Sequence, residues 1–217
     1  MSLKIVAVAD THGYHHDLTV PDGDVFIHAG DISAYGRETD LADFNDFLDG
    51  LPHRIKIVIA GNHDFAIERD PQGSAAILSN CVYLQDASYQ ADGVRFYGSP
   101  WQPWFHDWAF NLRRGAEIRA KWELIPEDTQ VLITHGPPYG HGDLTVHGSR
   151  VGCRDLLEFV ERIQPLVHVF GHIHEGYGIT ANEHTKFINA SVVDQDFVLS
   201  HSPTVFNVDV SGKRVWF

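Results

Sequence analysis

The sequence IVAVADTH, residues 5–12, joins a run of apolar residues to a polar tripeptide. A continuous apolar run of this length is typical of a strand buried on both faces of a sheet. Such strands belong to α/β folds, in which ligands gather outside the carboxyl ends of the strands. Asp10 and His12 directly follow the run, and this position makes them candidate functional residues.

Four further stretches repeat the arrangement of an apolar run followed by polar residues. They are residues 25–29 before Gly30-Asp31, 55–60 before Gly61-Asn62-His63-Asp64, 131–134 before His135-Gly136, and 166–170 before Gly171-His172-Ile173-His174. Carboxylate, amide oxygen and imidazole ligands together suit a divalent transition metal better than calcium. The set predicts a metal site at one edge of a sheet, although any one stretch alone is also compatible with a turn or a hydrogen-bonded histidine.

Length and composition limit the class of protein. A chain of 217 residues with 43% hydrophobic residues suits one α/β domain, residues 1–217. We expect neither a membrane span nor a secretory leader, because no apolar run approaches ~18 residues and the first strand starts at Leu3. Cys81 and Cys153 have no metal-site spacing, so we expect a reduced, cytoplasmic protein. The net charge of −13 argues against a long nucleic-acid partner, which needs a basic track.

Periodicity and turn residues predict the remaining elements. Helices are expected at 37–50, 115–123 and 153–163, with a short one at 74–78. Short strands near 81–85, 88–91 and 94–98 are expected to begin a second sheet, and short β segments are expected after residue 177. The pattern alone therefore predicts an α/β fold with an appended β region.

The five motifs, in this order, resemble the calcineurin-like metallophosphoesterase superfamily from about residue 3 to about residue 190. Within it the chain is most similar to the metallophosphoesterase-domain-containing, class III-type phosphodiesterase group. That closer resemblance is carried by IHAGD (residues 27–31), GSPW (98–101), HGPP (135–138), RVGC (150–153) and HIHEGYG (172–178). The resemblance implies a four-layer αββα sandwich, with two mixed β-sheets flanked by helices.

The resemblance also implies a pair of divalent metal ions. Manganese is the ion we expect most, and iron and zinc accept the same ligands. One ion would be held by Asp10, His12 and His174, the other by Asn62, His135 and His172, with Asp31 bridging the two. A bridging carboxylate fits because paired catalytic metals lie ~3.5–4 Å apart.

The implied function is hydrolysis of small phosphodiesters, with cyclic nucleotides as the substrate class that the resemblance suggests. A hydroxide shared by the two ions would attack phosphorus, and His63 would protonate the leaving group as general acid. His63 and Asn62 would also contact the phosphoryl group. A phosphomonoesterase on the same site is an alternative, as is a non-catalytic scaffold, although scaffold members lose ligands that this chain keeps. Residues 32–37 lack the Asp-Arg-Gly of the Ser/Thr protein phosphatases.

Several residues near the motifs keep two interpretations. His28 is either a buried histidine with a backbone partner or a contact to a metal ligand. Asp64 either orients His63 or holds its loop, and the role of Tyr177 is open. The loop 101–105, with Trp101, Trp104 and Phe105, either stacks on a base, anchors itself to the core or forms an interface, so the oligomeric state is open as well. For His15 and His16 a solvated loop is favoured over metal ligation.

Overall fold

The strands of this protein build two large sheets. The computed structural model describes residues 2–209, 211 and 214–217, and within these residues there are two six-stranded sheets and a two-stranded ribbon. The first sheet runs, in spatial order, β14 (Val215–Trp216), β13 (Thr204–Asp209), β1 (Ser2–Val8), β2 (Val25–Ala29), β3 (Ile55–Ile59) and β4 (Val82–Tyr83). The second runs β11 (Gly178–Ala181), β12 (Lys186–Asn189), β10 (Val167–Phe170), β9 (Val131–Thr134), β6 (Val94–Ser99) and β5 (Ala87–Ala91). The ribbon pairs β7 (Gln102–Pro103) with β8 (Asn111–Leu112).

The helices are short and lie between the strands in sequence. They are α1 (Glu38–Asp49), α2 (Phe65–Arg69), α3 (Pro71–Ile77), α4 (Ala116–Trp122) and α5 (Arg154–Ile163), with 3₁₀ turns at His15–Asp17 and His174–Gly176. Across the part of the chain that the structure describes, every helix is too short or too polar to cross a bilayer.

The two sheets pack face to face because successive side chains of each strand point to opposite faces. Ile5 of β1 lies in a core shared with Val131 and Ile133 of β9. Val6, the next residue of β1, faces outward and lies in a second core under α1, with Phe44. A third core covers the outer face of the second sheet with side chains of α4 and α5. The layers are therefore helix, sheet, sheet, helix, which confirms the expected αββα sandwich.

The carboxyl ends of the central strands meet at one edge of the sandwich. β1, β2 and β3 are parallel to one another, as are β9, β10 and β12. Backbone hydrogen bonds then join the two sheets: the amide of Ala9, which follows β1, donates to the carbonyl of Ala190 over 2.8 Å. The carbonyl of Ala9 accepts from the amide of Val192 over 3.0 Å. These bonds hold together the loops that carry the predicted site residues.

Three local features differ from the expectations. The strand near 81–85 does not begin the second sheet; β4 pairs in parallel with β3, with Ile57 opposite Val82, and extends the first sheet. The helix α2 was missed, since five residues are too few to show a helical period. The helix expected at 74–78 begins earlier, at Pro71, where the Asp70 carboxylate accepts the amide of Gly73 over 3.0 Å.

Candidate metal centre

The predicted site residues lie on sharp turns at the strand ends. Asp10, His12, Asp31 and His172 have φ values of 56°, 45°, 56° and 68°. Positive φ is costly for residues with a Cβ, and such strain persists where the surrounding structure fixes it, commonly at functional sites. The strained turns aim the side chains of separate loops toward a common point.

Glycines beside the turns leave room for these side chains. A Cβ at Gly171 would collide with the carboxylate of Asp10, and a Cβ at Gly61 would collide with that of Asp31. A Cβ at Gly30 would lie 2.6 Å from Nδ1 of His135. These three glycines are therefore required by close packing against a carboxylate or an imidazole from another motif.

One group of potential metal ligands consists of Asp10, His12 and His174. Their ligand atoms all lie within 4.8 Å of one another. The Nε2 atoms of His12 and His174 are 3.4 Å apart, and Nε2 of His174 is 3.9 Å from Oδ1 of Asp10. The second oxygen of Asp10 accepts the backbone amide of His172 over 3.0 Å, which ties this group to the next one.

A second group consists of Asp31, His135 and His172, again with ligand atoms within 4.8 Å. Oδ2 of Asp31 lies 3.4 Å from Nε2 of His135 and 3.8 Å from Nε2 of His12, so this carboxylate stands between the two groups. Oδ1 of Asn62 lies 2.8 Å from Nε2 of His135. The structure thus brings all seven predicted ligands together in the two predicted trios, with Asp31 between them.

The hydrogen bonds of the histidines fit metal ions at this place. Nδ1 of His135 donates to the carbonyl of Ala29 over 3.0 Å, and Nδ1 of His174 donates to the carbonyl of Asp194 over 3.0 Å. A carbonyl can only accept, so Nδ1 carries a proton in both rings, and Nε2 is the ring atom that faces the carboxylates. Backbone acceptors of this kind orient the imidazoles of metal sites. The donor set and its orientation therefore match a pair of divalent cations.

Burial and charge set the protonation of these groups. Burial lowers the pKa of His12 and of His172 to about 3, so both imidazoles are neutral at pH 7 and able to ligate. Burial also opposes a charge on His135, but the adjacent Asp31 carboxylate outweighs it and raises the pKa of His135 to about 9. Burial raises the pKa of Asp31, but the charge and hydrogen bond of His135 together with the charges of His12 and His63 outweigh burial and hold that pKa well below its usual value. A cation entering this group must therefore displace a proton from His135.

His63 lies beside both groups without taking a ligand position in either predicted trio. Its backbone amide donates to Oδ1 of Asp31 over 2.8 Å, and its Nδ1 donates to the carbonyl of Ala34 over 3.0 Å. The indole of Trp108 packs against the imidazole with ring centroids 4.4 Å apart. A cavity of about 330 Å³ is lined by His63 and Asp31 together with the final histidines. The imidazole of His63 therefore lines a cavity beside both groups of ligands.

The structure separates the two interpretations of His28 and of Asp64. His28 is fully buried; its Nδ1 accepts the amide of Gly30 over 3.3 Å, and its Nε2 donates to Oγ1 of Thr11 over 2.9 Å. The interpretation of a buried histidine with a backbone partner is confirmed.

Asp64 accepts backbone amides of Gly61 over 2.7 Å and of Ser33 over 3.1 Å. Asp64 therefore holds the loops of two motifs together and does not orient the ring of His63.

The aromatic residues near the site divide between anchoring and exposure. Trp101 donates its indole proton to Asp86 over 2.8 Å, so this end of the 101–105 loop is anchored. The tip is open, with Trp104 59% and Phe105 55% exposed. Tyr177 donates to a backbone carbonyl over 2.9 Å and stacks on an imidazole, with ring centroids 4.0 Å apart, which gives it a structural role.

Phe197 lies beside the centre, although nothing in the sequence predicted it there. Its ring lies 4.9 Å from that of His12 and 5.1 Å from that of His174, and its φ is 58°. It stands in an irregular segment after the last motif, where neither periodicity nor spacing marks a residue. Phe197 forms an apolar wall beside the first group of ligands.

Comparisons with known proteins agree with this geometry. The sequence profile of a family described as calcineurin-like phosphoesterase matches residues 3–176. The human protein named metallophosphoesterase domain-containing protein 1 is 43% identical over 230 residues, which cover 94% of this chain and 71% of the human one. A UPF0046 protein of Caenorhabditis elegans is 42% identical over 220 residues, which cover 95% of this chain and 75% of the C. elegans protein. A solved crystal structure with 15% sequence identity superposes on this chain with a TM-score of 0.68. The superposition covers 100% of this chain and 98% of the other one, so the two share the fold.

Proposed function

The chain belongs to the calcineurin-like phosphoesterase family, and from this premise we propose that it hydrolyses small phosphodiesters with the help of two divalent metal ions. The observation that carries the proposal is the position of Asp31, whose carboxylate lies between two groups of imidazole and carboxylate ligands. A carboxylate in that position serves two cations at once.

The two predicted trios would hold the ions, and Asp31 would touch both. Manganese is the proposed metal, with iron and zinc compatible with the same ligands. When bound, the pair of ions would supply a water of lowered pKa and neutralise the charge that develops on the phosphoryl oxygens. The backbone carbonyls behind His135 and His174 hold these imidazoles in the orientation that leaves Nε2 available.

His63 is the proposed general acid. Its Nδ1 proton is committed to the carbonyl of Ala34, so the other ring nitrogen would carry the proton given to the leaving alkoxide. Trp108 restricts the ring, which keeps that nitrogen in the cavity. Asn62, with Oδ1 beside His135, would also contact the phosphoryl group through its Nδ2 protons, which have no partner among the described residues.

Charge near the centre favours a diester over a monoester. Among the described residues, those that line the cavity beside His63 include Glu175 and no lysine or arginine. The adjoining cavity of about 490 Å³ has Arg114 and Arg150 in its wall, but both are engaged: Arg114 donates to backbone carbonyls, and Arg150 pairs with Asp143 at 2.7 Å. A diester carries one negative charge fewer than a monoester dianion and so depends less on cationic side chains beside the ions.

Cyclic nucleotides are the proposed substrate class. The 490 Å³ cavity adjoins His172 and is bounded by Trp104 and Phe105, whose exposed rings offer a surface on which a base could stack. The net charge of −13 is consistent with a small substrate and not with a long nucleic acid. Cys81 and Cys153 are free thiols, which is in keeping with the proposed reducing, cytoplasmic location.

The test compares turnover of bis-p-nitrophenyl phosphate, p-nitrophenyl phosphate and cyclic nucleotides by the purified protein with manganese. We expect diesters to be hydrolysed faster than the monoester. His172→Gly should lose most of the activity with every substrate, and His63→Ala should lose most of the activity with cyclic nucleotides. His106→Ala is the matched control, since it removes an exposed imidazole from a loop near the centre. A faster monoester reaction would replace the proposal with a phosphomonoesterase. No metal-dependent turnover of any of these substrates would favour a scaffold.

A further inference from the structure

Outside the centre described above, one group of metal-ligating side chains remains without a role. It consists of His15 and His16, in the 3₁₀ turn that follows the first motif, and Asp43 of α1. The turn was expected to be a solvated loop, and for His15 that is wrong: its side chain is 2% exposed. His15 is buried because its ring packs against Phe44 and Phe47 of α1, with ring centroids 5.2 Å away in both cases.

Both imidazoles present the same ring atom to one carboxylate. Nε2 of His15 lies 2.9 Å from Oδ2 of Asp43, and Nε2 of His16 lies 3.2 Å from Oδ1. The three ligand atoms are all within 4.8 Å of one another. A tetrahedral ion with ligands ~2.1 Å away separates those ligands by about 3.4 Å, and the two histidine-to-carboxylate distances lie within about half an ångström of that value.

An ion can reach this group from solvent and would find the carboxylate of Asp43 unpaired with Arg37. The side chains of His16 and Asp43 are 54% and 57% exposed, so an ion can enter from solvent without rearrangement of the core. A cavity of about 310 Å³ is lined by His12 of the centre, by His15 and by Asp43. The nearby Arg37 is paired with Asp40 at 3.0 Å and does not compete for the carboxylate of Asp43.

We propose that His15, His16 and Asp43 form a separate site for one transition-metal ion of the zinc class, with solvent completing the coordination. Two imidazoles and one carboxylate form a ligand set that zinc accepts and that calcium and magnesium do not prefer. An ion here would join the turn after His12 to the helix after Asp31, and would so tie together the segments that carry two residues of the dinuclear centre. The proposal does not depend on the activity of that centre.

The experiment measures zinc content by mass spectrometry after equilibration with micromolar zinc and desalting. We expect wild type to retain one zinc per chain more than Asp43→Asn and His16→Ala. Removing a ligand should lower zinc affinity at that site at least ~100-fold, because outer-shell changes alone cost 10–100-fold. Asp46→Asn, which removes the same charge from an exposed position one turn along α1, should retain as much zinc as wild type.

A second variant separates this site from the dinuclear centre. Asp31→Asn should lose ions from the centre and still hold one zinc more than the double variant Asp31→Asn/Asp43→Asn. Equal zinc content in wild type, Asp43→Asn and His16→Ala, with all three folded by circular dichroism, would overturn the proposal. A loss of the same zinc in Asp46→Asn would overturn it too, because it would point to bulk charge and not to ligation.

Discussion

Replacement of His63 by alanine gives the most specific prediction about the chemistry. Three contacts hold His63: its backbone N–H donates to Asp31, its Nδ1 donates to the carbonyl of Ala34, and its ring makes an edge contact with Trp108. None of these contacts engages Nε2, and general acid catalysis by a positioned side chain is worth ~10²–10⁴-fold. We therefore expect His63→Ala to lower kcat by ~10²–10⁴-fold, about 2.7–5.5 kcal/mol in barrier height, for substrates with an alkoxide leaving group.

The size of the loss should depend on the leaving group. An alkoxide, as in a cyclic nucleotide, is a strong base and needs a proton, whereas p-nitrophenolate is a weak base and leaves without one. The assay is steady-state hydrolysis of a cyclic nucleotide and of bis-p-nitrophenyl phosphate by wild type, His63→Ala and the control His106→Ala. We expect His63→Ala to lose at least tenfold more activity with the cyclic nucleotide than with the p-nitrophenyl diester.

Two results would refute this reasoning. Equal losses with both substrates would show that His63 contributes binding or structure and not a proton. A loss in His106→Ala as large as that in His63→Ala would show that the loops near the centre do not tolerate the removal of any imidazole.

Three further predictions concern metal affinity and stability. Gly171→Ala should abolish tight metal binding by the group that contains Asp10, because the new Cβ collides with the Asp10 carboxylate. The measurement is the metal content of the protein after dialysis, and a content equal to that of wild type would contradict the prediction. Metal affinity should rise about tenfold per pH unit between pH 7 and 8, because His135, with a pKa of about 9, must release a proton when the ion binds. Calorimetric titrations measure this, and the same Kd at both pH values would refute it. Burial lowers the pKa of His168 to about 3, so the unfolded chain binds more protons, and the free energy of unfolding should fall by about 1.4 kcal/mol from pH 7.5 to 5.5 through this residue. Urea unfolding of His168→Gln at the two pH values should show a fall in stability smaller by that amount, and a fall equal to that of wild type would be evidence against it.

The sequence could place the candidate ligands at one edge of a sheet because each motif follows a buried strand. The runs before Asp10, Asp31 and His135 have the composition of strands buried on both faces, and parallel strands bring their carboxyl ends to one edge. The division of the ligands into two trios came from the resemblance to a family, because hydrophobic periodicity does not reveal the order of the strands in a sheet. The resemblance also supplied the four-layer sandwich.

The remainder could not be predicted because it depends on contacts between segments distant in sequence. β4 joins the first sheet through its pairing with β3, which the composition of residues 82–83 does not reveal. His15 is buried by two phenylalanines of α1, and nothing in its own neighbourhood marks that contact. Phe197 reaches the centre from an irregular segment for the same reason.

The central claim is that Asp31 joins two metal ions, and diffraction from crystals grown with manganese tests it most directly. Anomalous scattering at the manganese edge should reveal two ions ~3.5–4 Å apart, one beside each trio, with the carboxylate of Asp31 in contact with both. Ions that occupy the two trios without touching Asp31, or a single ion at the centre, would contradict the account.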